Sequence, residues 1–119
     1  MGKASDLKNQ LQIQIATIRS QFNSKKTLLQ SQNSALLKKY ISNGPDFIRI
    51  FETIVTAEVY LDAANQLITN LTILSQNADA LLSKKTLPNE VNSSLEYCYK
   101  ASKINKQKDL YNILKPNHR

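Results

Sequence analysis

Side chains that carry most enzyme chemistry are sparse in this sequence. Its 119 residues include one cysteine, Cys98, and one histidine, His118. A nucleophile needs a base within hydrogen-bond reach, and a metal site needs several ligands. The acidic residues of the central segment are spread over several helical turns and have no histidine partner. The sequence therefore predicts a non-enzymatic protein without a metal or a cofactor, in which Cys98 is a small buried residue.

Lysine and arginine offer a different chemistry, the binding of anions. The net charge is +7, and residues 1–44 hold seven basic residues against one acid. Near an anionic membrane each lysine or arginine contributes roughly 1 kcal/mol, so several together predict reversible, salt-sensitive attachment. The candidate membrane-binding residues are Lys3, Lys8, Arg19, Lys25, Lys26, Lys38 and Lys39.

Nucleic acid is the alternative partner for the same positive charge. A surface that stacks bases interleaves aromatic and basic side chains. Only Tyr97 and Tyr99, which lie near Lys100 and Lys103 in the sequence, offer such a pattern. A basic helical-hairpin protein that binds nucleic acid is therefore the second hypothesis, and we expect it to be the weaker one.

Two long helices must position these residues. The first is predicted from about Ser5 to Ser42, with Ser5 or Asp6 as its cap and apolar residues recurring every three or four positions. The second is predicted from about Pro45 to Lys84, with a weak point at residues 75–77. The apolar stripe of the first helix consists of Leu7, Leu11, Ile15, Ile18, Phe22, Leu29, Leu36 and Tyr40.

The segment Asn43-Gly44-Pro45-Asp46 separates the two helices. Glycine closes a helix by adopting the left-handed conformation, and proline suits the first position of the next one. Because so short a connection makes neighbouring helices antiparallel, we predict a helical hairpin over residues 5–84 that turns at Gly44.

Two shorter helices, over residues 88–102 and 107–114, are predicted to pack back on the hairpin in a single domain, residues 1–119. The fold class is therefore all-α. Together with the hairpin they could form a groove for an amphipathic helix of a partner. The candidate partner-binding residues are Val91, Leu95, Tyr99, Ile104, Leu110 and Ile113. No apolar run approaches the roughly 18 residues of a membrane span, so we expect a cytoplasmic protein.

A basic first helix with a Lys-Lys pair, Lys25-Lys26, is followed by Gly44. An acidic second-helix segment comes next, "FETIVTAEVYLDAANQL", residues 51–67, and then the segments "PNEVNSSLEYCYKAS", residues 88–102, and "DLYNIL", residues 109–114. This ordered set of motifs resembles the increased-sodium-tolerance family of ESCRT-III-like proteins, although Thr56 stands where the family has arginine.

The resemblance implies an ESCRT-III-like amino-terminal helical domain, without enzymatic activity, that regulates the AAA ATPase of endosomal sorting. It implies binding to CHMP-class ESCRT-III subunits, to that ATPase, and peripherally to endosomal membranes, with assembly into a homo-polymer. Family members continue into carboxy-terminal ATPase-binding motifs beyond the matched region.

Overall fold

The computed structural model describes residues 2–42, 47–83 and 86–118, and the side chains of these residues except 34, 36–42, 47–53 and 55. Over these ranges five α-helices follow one another: α1 (Lys3–Ser42), α2 (Phe47–Gln76), α3 (Ala78–Leu82), α4 (Asn89–Ile104) and α5 (Lys108–Leu114). A 3-10 turn, Lys115–Asn117, ends the series. Every regular element of the described ranges is helical, which confirms the all-α fold class. The predicted turn at residues 43–46 lies outside the described residues.

Helix α1 has 40 residues and begins at Lys3, earlier than predicted. The predicted cap at Ser5 or Asp6 is therefore wrong, because both residues lie inside the first turn. The Asp6 amide instead donates to the Gly2 carbonyl, at 3.1 Å. The Asp6 carboxylate remains favourable there, since the amino-terminal end of a helix dipole is positive.

The second long helix is interrupted at Asn77 and does not run to residue 84 as predicted. Asn77 has φ −120° and ψ 29°, outside helical values, and its side-chain amide donates to the Ile73 carbonyl at 2.7 Å. The Ser75 hydroxyl likewise donates to the Thr72 carbonyl, at 2.9 Å. Such local bonds compete with the helical backbone ladder. The predicted weak point at residues 75–77 is confirmed, and it separates α2 from α3.

The chain divides into two compact units. The first comprises Met1–Ile18 and Gln66–Arg119, and the second comprises Arg19–Asn65. In the first unit, α1 buries apolar side chains at three- and four-residue spacing, as its stripe predicts. The fully or almost fully buried apolar residues of this unit are Leu7, Leu11, Ile15, Ile18, Leu67, Ile68, Leu71, Leu74, Ala78, Leu81, Val91, Leu95, Cys98, Leu110 and Leu114.

The second unit is less buried along its described side chains. Ala57 is 5% exposed, whereas Phe22, Leu29 and Leu61 are half-buried. The apolar stripe of α1 therefore continues into this unit but covers its side chains less completely.

A tight corner joins α4 to α5. Lys106 takes the left-handed conformation, with φ 55°. The Gln107 amide donates to the Ser102 carbonyl at 2.9 Å, and the Lys106 amide donates to the Lys103 carbonyl at 3.3 Å. These two bonds form a Schellman motif, which satisfies the last carbonyls of α4 and redirects the chain. The corner places the start of α5 beside the end of α4.

Candidate functional site

The basic residues of α1 are exposed wherever their side chains are described. This holds for Lys3, Lys8, Arg19, Lys25 and Lys26. The side chains of Lys38 and Lys39 lie outside the described residues. Lys25 and Lys26 do not point the same way, because successive helical residues are about 100° apart. Lys26 places its ammonium 5.9 Å from the centre of the Phe22 ring, whereas Lys25 lines a cavity.

That cavity lies within the second unit and has a volume of about 580 Å³. Its walls come from about two and a half turns of α1 and from Tyr60 of α2. The lining residues are Ser20, Gln21, Ser24, Lys25, Leu28 and Tyr60. Leu28 is 50% exposed and Tyr60 is 45% exposed. Lys25 thus lines the same cavity as two large side chains that reach solvent, Leu28 and Tyr60, a combination suited to the boundary between water and lipid.

The six candidate partner-binding residues divide into two groups. Val91, Leu95 and Leu110 are at most 3% exposed, so they belong to the core and do not line a surface groove. Their helical spacing could not separate a core face from a binding face. Tyr99 and Ile113 are half-buried, and Ile104 is 79% exposed. Only these last three can meet a partner without rearrangement of the unit.

Residues of α1 contribute to a groove in the first unit that the sequence did not suggest. Two cavities, of about 460 and 280 Å³, lie between the start of α1 and α5 and share Gln10, Asn112 and Ile113. Ile13 lines the smaller cavity and is 62% exposed. In the sequence, the position of Ile13 away from the apolar stripe of α1 could have indicated this groove. The groove combines apolar side chains with amides able to form hydrogen bonds.

Three aromatic rings from separate elements meet at the carboxy-terminal end of the first unit. The Tyr99 ring of α4 stacks on the Tyr111 ring of α5, with centroids 5.3 Å apart and planes 26° apart. The His118 ring stacks on Tyr99 at 3.9 Å and 8°. The Tyr99 hydroxyl also donates to the Tyr111 hydroxyl across 3.5 Å, a distance at the long limit for such a bond.

Two lysines lie against these rings. The ammonium of Lys103 is 5.3 Å from the centre of the Tyr99 ring, and that of Lys115 is 5.8 Å from the centre of the Tyr111 ring. We call Tyr99, Tyr111, His118, Lys103 and Lys115 the Tyr99 cluster. The three rings are half-buried and both lysines are exposed. Folding has therefore interleaved aromatic and basic side chains that are up to 19 positions apart in the sequence.

The two tyrosines of the cluster differ in acidity. Donation of its hydroxyl hydrogen to Tyr111 raises the pKa of Tyr99, and burial adds to this. The same bond lowers the pKa of Tyr111, burial opposes this, and the positive charges of Lys115 and Lys103 add smaller lowering effects. Both lysines therefore impose positive potential at the Tyr111 hydroxyl.

Cys98 is fully buried, as predicted, and burial raises the pKa of its thiol to about 12. A thiol that stays protonated is a poor nucleophile and metal ligand. Within the ranges that the structure describes, no group of three or more His, Cys, Asp or Glu side chains could hold a metal ion. None of the helices, over the same part of the chain, is long and apolar enough to cross a bilayer.

No protein family, no curated protein and no solved structure matches the chain.

Proposed function

We infer that the protein is a non-enzymatic, ESCRT-III-like adaptor of endosomal, or multivesicular-body, sorting. The proposal rests on the ordered motifs over residues 25–114 and on the helical elements of the described ranges, two of which have 40 and 30 residues. It includes peripheral binding to endosomal membranes from the cytoplasm, binding to CHMP-class ESCRT-III subunits, and modulation of the AAA ATPase that disassembles them. Assembly into a homo-polymer belongs to the same proposal.

An antiparallel hairpin of α1 and α2 is the arrangement that this function requires. Helix α1 ends at Ser42 and α2 begins at Phe47, so four residues connect them. A turn centred between residues 44 and 45 would bring Tyr60 opposite position 29, at the same distance from the turn. The cavity of the second unit, where Tyr60 faces Ser24, Lys25 and Leu28, supports this register.

Of the activities in this proposal, membrane attachment has the most direct structural support. Lys25 lines the same cavity as the exposed side chains of Leu28 and Tyr60. We propose that Lys25 meets lipid phosphate while the apolar pair enters the headgroup region. Replacing both Lys25 and Lys26 with glutamate should lower affinity for phosphatidylserine vesicles at least about tenfold, since each lost cation removes roughly 1 kcal/mol.

Cosedimentation with vesicles of phosphatidylcholine and phosphatidylserine tests this attachment. Lys100→Glu combined with Lys108→Glu is the matched control, because it makes the same change of charge at exposed residues of the first unit. Unchanged binding of the Lys25 and Lys26 variant, or an equal loss in the control, contradicts attachment through α1.

The groove between α1 and α5 is the proposed site for the tail helix of a CHMP-class subunit. Ile13 and Ile113 line it with apolar surface, and Gln10 and Asn112 supply amides. Ile13→Asp should abolish binding of a tail peptide without unfolding the protein, because Ile13 is 62% exposed. Val59→Asp, also at a residue 62% exposed but in the second unit, is the control. Loss of binding in both variants, or in neither, argues against this groove.

Nucleic-acid binding remains the second candidate, and the Tyr99 cluster is the observation that favours it. Lysines over aromatic rings are typical of surfaces that hold single strands. However, the Tyr99 ring already stacks on two neighbouring rings, which compete with a base for its faces. Salt-dependent affinity for single-stranded RNA, compared with that for vesicles, separates the two candidates.

A further inference from the structure

The Tyr99 cluster has no part in the adaptor function proposed above. Its members come from α4, from α5 and from the segment after α5, so the folded first unit alone assembles them. The corner at Lys106 fixes the two helices relative to each other through two backbone hydrogen bonds. The cluster is therefore part of the folded structure of this unit.

Its hydrogen-bond donors are held before any ligand arrives. Ring stacking fixes Tyr99, Tyr111 and His118, which are half-buried. Contact with the rings restricts Lys103 and Lys115, whose ammonium groups nevertheless remain exposed. Donors ordered in advance cost a ligand less conformational entropy on binding.

The electrostatic surroundings are positive. Asp109 is the one acidic residue between positions 97 and 119, whereas that segment holds six lysines and arginines. Lys100, Lys106 and Lys108 are exposed and add to the potential of the two lysines in the cluster. Lys115 and Lys103 contribute to the lowered pKa of Tyr111, which reflects this positive potential.

These features together select a class of ligand. Lysine binds phosphate as a point charge, and two ammonium groups match the two charges of a phosphomonoester. A phosphodiester of nucleic acid carries one charge per phosphate and draws its affinity from open aromatic faces as well. We propose that Lys103 and Lys115, with the hydroxyl of Tyr111, form a binding site for a phosphomonoester group. A phosphoinositide headgroup or a free phosphorylated metabolite could supply it.

Charge-neutral substitution of the two lysines tests the site. Lys103→Gln with Lys115→Gln should lower the affinity for inositol 1-phosphate by up to about 25-fold, since each exposed ion pair contributes up to about 1 kcal/mol and about 1.4 kcal/mol corresponds to tenfold. Lys100→Gln with Lys108→Gln removes the same charge from exposed residues of α4 and α5 outside the Tyr99 cluster. It should cost no more than about threefold at physiological salt, because solvent ions screen distant charges.

The measurement is a titration of the full chain, followed by amide and histidine-ring NMR signals at constant ionic strength, with inositol 1-phosphate and with sulfate. Saturable shifts at Tyr99, Tyr111 and His118 that sulfate does not reproduce support the site. Circular dichroism verifies that each variant is folded. Tyr111→Phe, which removes one hydroxyl and keeps the ring, gives a second variant and should weaken binding less than the lysine pair.

Vesicles of phosphatidylcholine with a phosphatidylinositol monophosphate, with inositol 1-phosphate as competitor, identify the source of the ligand. Competition assigns the site to a lipid headgroup, and binding of the soluble probe alone assigns it to a free metabolite. Equal losses in both lysine pairs, shifts spread over all basic residues, or RNA binding that the probe does not displace would overturn the proposal. Vesicle attachment through Lys25 is independent of this result, so the two proposals fail separately.

Discussion

The effect of Leu110→Ala on stability, compared with that of Ile104→Ala, distinguishes a core residue from a surface residue near the end of the chain. Leu110 and Ile104 were both candidates for partner binding, yet Leu110 is 0% exposed and Ile104 is 79% exposed. Leu110→Ala should therefore act on folding, whereas Ile104→Ala should act only on the binding of a partner at this surface.

The expected magnitudes follow from burial. Removing three carbon atoms from a fully buried leucine costs about 2–5 kcal/mol, through lost transfer free energy and the cavity left behind. Ile104 has about a fifth of its surface covered, so Ile104→Ala should change the free energy of unfolding by no more than about 0.5 kcal/mol. A chain of this length has an unfolding entropy of about 0.25 kcal/mol/K, so about 3 kcal/mol corresponds to a fall in Tm of about 12 °C.

Urea unfolding monitored by circular dichroism, together with thermal unfolding, measures both variants against the unmodified chain. Leu114→Ala, at another fully buried position of α5, should behave as Leu110→Ala does. A loss below about 1 kcal/mol for Leu110→Ala, or equal losses for Leu110→Ala and Ile104→Ala, would refute the packing of α5 described above.

Three further predictions concern single side chains. Lys106→Gly should stabilise the protein by about 0.5–1 kcal/mol in urea unfolding, because glycine tolerates φ 55° without strain, whereas Asn105→Gly, at φ −88°, should bring no gain. The Cys98 thiol should resist alkylation until the protein unfolds. Burial raises the pKa of Cys98 to about 12. The contribution of the protonated Cys98 thiol to the free energy of unfolding is therefore complete below about pH 8.5 and falls as the pH rises toward 12. Cys98→Ala should abolish this part of the pH dependence. In an ultraviolet titration, Tyr99→Phe should raise the ionisation midpoint of Tyr111 by removing the hydrogen bond that Tyr111 accepts. Alkylation of native Cys98, or a Tyr111 midpoint that stays unchanged, would contradict these contacts.

Much of the helical architecture could be predicted from residue spacing and from the residues that break helices. The apolar stripe of α1 predicts Leu7, Leu11, Ile15 and Ile18 as core residues, and the structure buries all four. The exact start of α1 does not follow from spacing, and the weak point predicted at residues 75–77 becomes a break where side-chain bonds from Ser75 and Asn77 compete with the backbone ladder. Several residues near these ends have side chains that can either cap or continue a helix, and spacing alone does not decide between them.

Candidate binding surfaces were harder to predict, because an apolar stripe in the sequence does not show whether it packs in the core or lies at the surface. Leu110 and Ile113 belong to one short helix, yet one is core and the other lines a groove. The Tyr99 cluster depends on the corner at Lys106, where a lysine takes a conformation more typical of glycine. Nothing in the sequence around Tyr99 indicates that His118 folds back onto its ring.

Titration of the isotope-labelled full chain with the carboxy-terminal tail peptide of a CHMP-class subunit tests the adaptor proposal most directly. We predict saturable binding, with the largest NMR shifts at Ile13, Asn112 and Ile113, and loss of binding in the Ile13→Asp variant. Absence of binding by every CHMP-class tail, or shifts confined to residues 19–65, would contradict it.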